Sequence, residues 1–213
     1  MKIELLKRFI SSIVLIIISF YVIYNNYYFF YCFLLIIFIF TLIEWHKMTF
    51  NKVYYLPGLI FLFFSFYSVH LIKINYHDNI FFILILLICI STDIGGFLFG
   101  KFFKGPKLTK ISPNKTYSGV IGSFILPLIV IYIYLNAIEA SNFFSMDFKF
   151  YIIFLISGIS QIGDLIISYF KRISNMKDTG QLIPGHGGIL DRIDGMIFAF
   201  PLFYFLFATN IFK

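Results

Sequence analysis

Long runs of apolar side chains constrain this chain more than any other feature. A membrane-spanning helix needs about 20 mostly apolar residues, within a range of about 17–25. Hydrophobic residues make up 60% of the chain and charged residues 13%, whereas soluble domains average about 45–50% and about 25%. We therefore predict an all-α, polytopic integral membrane protein with about seven transmembrane helices, at residues 7–24, 27–45, 54–72, 79–99, 119–137, 150–170 and 194–211.

These spans leave no room for a soluble domain, so we predict one membrane-embedded domain over residues 1–213. Residues 1–75 supply the N-terminal helices, and residues 79–211 supply the helices and cytoplasmic loops that carry the chemistry. The first apolar run follows basic residues, as in a signal peptide, but bulky residues stand where a small-x-small cleavage site would lie. This pattern predicts a retained first helix.

The distribution of basic residues predicts the orientation in the membrane. Cytoplasmic loops are enriched in Lys and Arg. With the N-terminus placed inside, every one of the 17 basic residues falls on the cytoplasmic side except Lys73, Lys149 and Lys213. The two longest cytoplasmic loops span about 100–118 and 171–193, and we expect the functional site there.

Four carboxylates lie in or beside apolar helices. An ionisable residue at membrane depth is costly and is by default a functional hypothesis. Asp93 lies in STDIGGFLFG, Asp164 in GISQIGDLIISYFKR, and Asp191 and Asp194 in ILDRIDG. Three structural explanations compete with a functional one: helix packing by the glycines around Asp93, a polar stripe between helices at Asp164, and a helix cap at Asp191 and Asp194.

The second long loop combines cations, carboxylates and a glycine-rich turn. Asp164, Ser168 and Lys171 have the spacing i, i+4, i+7 and share one helix face. The sequence PGHGG at 184–188 is incompatible with a regular helix interior, and its free N–H groups could face an anion. Carboxylates and cations together suit Mg²⁺ and phosphate groups. The sequence contains neither GxxxxGK[ST] nor HExxH, so neither a P-loop nor a zinc protease site is indicated.

Residues 168–194 read SYFKRISNMKDTGQLIPGHGGILDRID. This run resembles the signature of phosphatidate cytidylyltransferases, also called CDP-diacylglycerol synthases, at every fixed position. Upstream, the segments DIGGF, GK and SPNKTYSG are similar to a second region of that family. Tyr117 and Ser118 stand there where Trp and an acidic residue are common. The resemblance covers roughly residues 90–200.

The resemblance implies a nucleotidyltransferase that converts CTP and phosphatidic acid into CDP-diacylglycerol and pyrophosphate for phospholipid synthesis. It implies Mg²⁺, with K⁺ as a further cation. The expected partners are CTP, phosphatidic acid and the lipid bilayer, with no nucleic acid and with a homodimer left open. The expected location is the bacterial inner (plasma) membrane, with the active site on the cytoplasmic face.

The implied roles divide the polar residues into three sets. A phosphomonoester has a second pKa of about 6, so the lipid phosphate needs charge neutralisation and in-line alignment rather than a strong base. The residues expected to act in catalysis are Asp164, Asp191, Lys171, Arg172, Lys177 and Arg192. Those expected to bind substrate are Asp93, Lys115, Ser168, Gly185, His186, Gly187 and Gly188. The expected metal ligands are Asp164, Asp191 and Asp194.

Two other functions remain open at this point. A CTP-dependent lipid-alcohol kinase of the dolichol or phytol type would transfer the γ-phosphate and release CDP. A non-enzymatic lipid-binding or transport protein is the second alternative. Transporter sites usually lie near the bilayer midplane between repeats, whereas the polar residues of this chain cluster at one face and no internal repeat is visible.

Overall fold

A computed structural model describes Tyr21 and residues 27–75, 79–109, 112, 115–139, 146–182 and 187–209 of the 213-residue chain. Within these residues the secondary structure is helical. The helices in chain order are α1 (Tyr27–Thr49), α2 (Tyr55–Asn75), α3 (Ile80–Phe103), α4 (Tyr117–Ala137), α5 (Met146–Ile173), α6 (Leu190–Ile193) and α7 (Met196–Ala208).

Five of these helices are long and apolar enough to cross a membrane: α1 to α4 and the Phe150–Ile173 part of α5. They match the second to sixth predicted spans, and the prediction of an all-α polytopic membrane protein is confirmed. The first predicted span, 7–24, lies outside the described residues apart from Tyr21. The N-terminus inside stays a prediction.

The last predicted span, 194–211, differs from the structure. A turn at Asp194 and Gly195 precedes α7, which has 13 residues, fewer than the lower limit of about 17 for a spanning helix. The short helix α6 ends at Ile193, directly before this turn. Residues 210–213 lie outside the described part of the chain.

The described residues divide into two compact units. The first unit contains the residues up to Tyr67 together with Phe170–Ile193, and the second contains Ser68–Tyr169 and the residues from Asp194 onward. The boundary therefore falls within α2 and within α5.

In the first unit, the end of α1 is fixed by aromatic and polar contacts. The Trp45 ring packs edge-on against Phe170, with ring centroids 5.3 Å apart, and its indole N–H donates to the Tyr55 carbonyl at 3.1 Å. The Ser174 hydroxyl donates to the Met48 carbonyl at 2.7 Å. The contacts of Phe170 and Ser174 hold the end of α5 and the residue that follows it beside the last two turns of α1.

In the second unit, α3 and α4 pack through glycines. A Cβ placed on Gly95 would overlap the Gly122 carbonyl, and one on Gly119 would lie 2.7 Å from the Gly96 carbonyl. The Thr92 hydroxyl also donates to Ser157 of α5 at 3.0 Å. Glycines at such a contact let two helix backbones approach closely, so the glycines around Asp93 are packing residues.

Candidate active site

The predicted polar residues gather in two groups, one within each unit. The loop cluster belongs to the first unit and consists of Glu44, Lys171, Thr179, Gly188 and Asp191. The helix cluster belongs to the second unit and consists of Lys115, Asp164, Ser168 and Asp194.

Asp191 is the centre of the loop cluster. Its Oδ1 lies 2.6 Å from the Lys171 ammonium, and the two side chains are 5% and 10% exposed. Its Oδ2 accepts hydrogen bonds from the Thr179 N–H at 2.8 Å, the Thr179 hydroxyl at 3.0 Å and the Gly188 N–H at 3.0 Å. One carboxylate oxygen is thus anchored to the loop backbone, while the other faces a single cation.

The charge of Asp191 is set by two opposing effects. Burial alone would raise the pKa of this carboxyl, because a low-dielectric environment disfavours the charged form. The Lys171 ammonium and the N–H groups of Gly188 and Thr179 outweigh burial and hold the pKa of Asp191 below its usual value. Asp191 is therefore ionised at neutral pH.

Glycines give the loop the backbone conformation and the space that this network needs. Gly187 has a φ of +86°, a conformation that L-residues with a side chain rarely adopt. A Cβ on Gly188 would overlap the Thr179 hydroxyl and a Glu44 carboxylate oxygen. The Gly188 N–H donates its hydrogen bond to Asp191 rather than facing open space where an anion could bind. Gly185 and His186 lie outside the described residues, so their predicted roles in substrate binding stay predictions.

Besides Thr179, Glu44 is the member of the loop cluster that sequence reasoning missed. It lies near the end of α1 and is 2% exposed. Its carboxylate accepts hydrogen bonds from the Ile189 and Leu190 N–H groups at 2.9 and 2.8 Å and from the Thr179 hydroxyl at 2.8 Å. An acidic residue at the edge of an otherwise apolar run is a signal that could have found it.

The helix cluster is built around Asp164 on α5. The Lys115 ammonium lies 2.6 Å from Asp164 Oδ2, and the two side chains are 27% and 26% exposed. The Ser168 hydroxyl donates to Asp164 Oδ1 at 3.2 Å, as their i, i+4 spacing allows. The side chain of Asp194 lies within hydrogen-bonding reach of Asp164. The helix cluster thus joins two carboxylates with one lysine.

Local structure places Lys115 at the start of α4. Thr116 caps this helix, because its hydroxyl accepts the Gly119 N–H at 3.1 Å. The Leu108 N–H donates to the Lys115 carbonyl at 2.8 Å, and Lys107 pairs with Thr116 in an antiparallel bridge. The Ser118 hydroxyl donates to the Lys104 carbonyl. The loop before α4 is therefore tied at both sides of Lys115.

The remaining predicted residues are exposed. Asp93 is exposed on α3, in the second unit. Arg172, Lys177 and Arg192 are exposed in the first unit, and the Arg172 guanidinium donates to the Met176 carbonyl at 3.2 Å. Exposed cations of this kind are accessible to an anionic substrate.

The donor set of both clusters fits a hard divalent cation. Mg²⁺ is usually held by one or two carboxylates together with substrate phosphates. Asp164 and Asp191 each bind a protein donor through one oxygen and a lysine ammonium through the other. Each ammonium stands where a metal cation would compete for the same oxygen. Among the described residues, no three His, Cys, Asp or Glu side chains come together as a metal site, so substrate oxygens and water would complete the coordination.

The chain is an all-α membrane protein with two clusters that pair a carboxylate with a lysine. Lysines can bind phosphate groups and carboxylates can bind Mg²⁺, so this class of protein can carry out phosphate chemistry at a membrane. Comparison with known proteins narrows this class. Residues 50–210 match the model of the cytidylyltransferase family. The phosphatidate cytidylyltransferase of Rickettsia typhi is 39% identical over 176 residues, which cover 79% of this chain and 75% of the relative.

Two further relatives carry the same name. The phosphatidate cytidylyltransferase of Rickettsia bellii is 35% identical over 211 residues, covering 96% of this chain and 91% of the relative. That of Haemophilus influenzae is 38% identical over 136 residues, covering 62% and 47%. The chain belongs to the cytidylyltransferase family, and the predicted family membership and nucleotidyltransferase class are confirmed.

Proposed function

We propose that this protein transfers CMP from CTP to phosphatidic acid, giving CDP-diacylglycerol and pyrophosphate for phospholipid synthesis. The observation that carries the proposal is the pairing of Asp191, which follows the glycine-rich turn, with Lys171 at the end of α5, in a chain whose relatives are named phosphatidate cytidylyltransferases. The bond that forms joins a lipid phosphate oxygen to the α-phosphorus of CTP. The bond that breaks joins that phosphorus to the oxygen leading to the β-phosphate, and pyrophosphate leaves.

The protein side chains supply charge and alignment. The lipid phosphate is largely dianionic at pH 7 and attacks without a strong general base. Lys115 and Lys171 can move from their carboxylates to phosphate oxygens, since an ammonium is a mobile point charge on a flexible stem. The exposed Arg172, Lys177 and Arg192 balance the charge of the triphosphate and of the leaving pyrophosphate.

The proposed cofactor is Mg²⁺, with its protein ligands drawn from Asp164, Asp191 and Asp194. When bound, it neutralises phosphate oxygens and polarises the phosphorus that is attacked. Asp164 and Asp191 each have one carboxylate oxygen paired with a lysine ammonium. These two oxygens already bind a cation, which supports their assignment as metal ligands. The role of K⁺ stays a prediction, and a requirement for K⁺ at fixed ionic strength would test it.

The proposed setting is the bacterial inner membrane, with the active site on the cytoplasmic face, where CTP is present. The excess of Lys and Arg in the loops on one predicted side supports this orientation. Labelling of single cysteines introduced at Lys107 and Glu139, which lie on opposite predicted sides, would test it in intact cells. A homodimer stays a prediction that cross-linking in native membranes can test.

A product assay tests the proposed reaction. Purified protein is incubated in lipid nanodiscs with phosphatidic acid, Mg²⁺ and CTP that carries its label on the α-phosphate or on the γ-phosphate. We expect the α-label in a CDP-lipid and the γ-label in pyrophosphate. Transfer of the γ-label to a lipid alcohol, with release of CDP, would instead establish the lipid-alcohol kinase.

A further inference from the structure

Glu44 is the most unusual charged residue in the described part of the first unit. It lies in a helix apolar enough to span the membrane, yet its side chain is buried at 2% exposure. A buried carboxylate is strongly unfavourable unless several hydrogen bonds stabilise it. Glu44 also precedes residues 50–210, which match the family model, and no role is assigned to it by the reaction described above.

Three donors from two separate limbs of the loop satisfy this carboxylate. Glu44 Oε1 accepts the Ile189 N–H, and Oε2 accepts the Leu190 N–H and the Thr179 hydroxyl, at 2.8–2.9 Å. Thr179 lies before the glycine-rich turn, whereas Ile189 and Leu190 lie after it. The single Glu44 side chain therefore fixes the distance between the two limbs.

Thr179 couples Glu44 to Asp191. Its hydroxyl lies 2.8 Å from Glu44 Oε2 and 3.0 Å from Asp191 Oδ2, but a hydroxyl has only one proton to donate. The two carboxylates share that donor, while the Thr179 N–H donates to Asp191 at 2.8 Å. Thr179 itself is 1% exposed. A change at Glu44 therefore alters both the position and the hydrogen bonding of Asp191.

Two glycines bring the backbone of both limbs close to the Glu44 carboxylate. A Cβ on Gly180 would lie 2.6 Å from Glu44 Oε1, and one on Gly188 would overlap both Glu44 and Thr179. The loop backbone thus closes directly onto the carboxylate. This close approach favours one loop conformation, as positioning of a reactive group requires.

We propose that Glu44 is a positioning residue for the transfer reaction: it fixes the two limbs of the loop 179–191 and thereby orients the Asp191 carboxylate. This proposal rests on the proposed function for its kinetic readout. Glu44 acts through Thr179 and through the backbone of Ile189 and Leu190, without contact to the reacting atoms. Its removal is expected to lower kcat much more than it changes KM for phosphatidic acid.

The test compares Glu44→Gln with Glu139→Gln, which makes the same chemical change at an exposed residue in the second unit. In nanodiscs, Glu44→Gln should lower kcat by about 10–100-fold, because an error of about 1 Å in a catalytic group can cost about 10²-fold. KM for phosphatidic acid should change less than about threefold. The melting temperature of the variant should stay above the assay temperature, so that the protein remains folded during the assay. Glu139→Gln should match wild type.

Two further measurements distinguish positioning from a purely structural role. Thr179→Val, but not Thr179→Ser, should reproduce the loss of kcat, and the double variant Glu44→Gln/Thr179→Val should lose less than the product of the two single losses. Hydrogen exchange of the 187–193 peptide should be at least about tenfold faster in Glu44→Gln, because the Ile189 and Leu190 amides donate to different carboxylate oxygens and the glutamine keeps only one acceptor oxygen. This exchange readout does not depend on the reaction.

Several results would overturn the proposal: wild-type kcat in Glu44→Gln, a kcat loss fully explained by a smaller folded fraction, or multiplicative losses in the double variant. If Glu44→Gln does not accumulate as folded protein, equal kcat values for Thr179→Val and Thr179→Ser would overturn it. An inactive wild-type protein would refute the proposed function alone. In that case, unchanged exchange of the 187–193 peptide in Glu44→Gln would refute the positioning role separately.

Discussion

The loop cluster and the helix cluster use the same pairing of an aspartate with a lysine but hold it to different degrees. Asp191 is 5% exposed as a side chain, and three donors fix its Oδ2. Asp164 is 26% exposed, and one donor, the Ser168 hydroxyl, fixes its Oδ1. A second carboxylate, Asp194, adjoins Asp164 and accepts a hydrogen bond from the Gly195 N–H at 2.9 Å.

This difference separates two requirements of a phosphate site. The loop cluster provides one carboxylate oxygen at a fixed position, because backbone N–H groups and Glu44 hold the loop. The helix cluster provides the Asp164 carboxylate, which is less restrained and more accessible to water and ligand. Pre-organised groups cost little reorganisation during the reaction, while mobile groups can exchange a lysine for a substrate or a cation.

The largest expected effect is that of Asp164→Asn. The amide removes the negative charge that Lys115 and the proposed cation both require, so CDP-diacylglycerol formation should fall by about 10³-fold or more, a loss of several kcal/mol in transition-state stabilisation. The protein should remain folded, because Asp164 is only partly buried. Steady-state kinetics and thermal unfolding measure both outcomes, and activity within about tenfold of wild type would remove Asp164 from the site.

Gly188→Ala should have the next largest effect. The added methyl overlaps Thr179 and Glu44, so the loop must shift, and kcat should fall by about 10²-fold. Gly158→Ala is the matched control, since a Cβ at Gly158 meets no atom within 4 Å and alanine favours a helix. Equal activity of the two variants would show that the loop tolerates displacement and that the loop cluster is not rigid.

Ser168→Ala should have a smaller effect. It removes the hydrogen bond at 3.2 Å that anchors Asp164 Oδ1, and one such bond contributes about 0.5–1.5 kcal/mol net, so kcat should fall by about 2–10-fold. A loss as large as that of Asp164→Asn, measured under the same conditions, would mean that Ser168 itself contacts substrate.

The contribution of Asp191 to the stability of the folded protein should not change between pH 5 and 8. The pKa of this carboxyl is lowered in the folded protein. Its stabilising contribution is therefore fully present above the unfolded value of about 3.9 and is lost only as the pH falls through the lower folded value. The difference in melting temperature between wild type and Asp191→Asn should stay constant from pH 8 to 5. Narrowing of this difference near pH 6 would show that Asp191 is not held as an anion.

Much of the fold follows from local sequence patterns, because membrane spans need only length and apolar composition. The five long helices were predictable for this reason. The last span was less so, since the sequence predicts a helix from residue 194, whereas a turn at Asp194 and Gly195 precedes α7, which begins at Met196. That turn places Asp194 beside Asp164 rather than inside a regular helix.

The candidate site was predictable in part. The signature run contains Lys171, Gly188 and Asp191, whose contacts are short in sequence. Glu44 was missed because its partners lie 135 to 146 residues away, so its place at the edge of an apolar run marks it as unusual without showing what it binds. The meeting of Lys115 with Asp164 likewise depends on the packing of the second unit.

The proposed role of Asp191 as a Mg²⁺ ligand is tested by the Mg²⁺ dependence of CDP-diacylglycerol formation in Asp191→Asn, compared with Thr179→Val. We predict that Asp191→Asn stays folded but loses nearly all turnover at any Mg²⁺ concentration, since a ligand charge is lost. Thr179→Val should lower kcat with the Mg²⁺ requirement unchanged. Near wild-type turnover of Asp191→Asn at saturating Mg²⁺ would show that Asp191 is not a ligand of the metal.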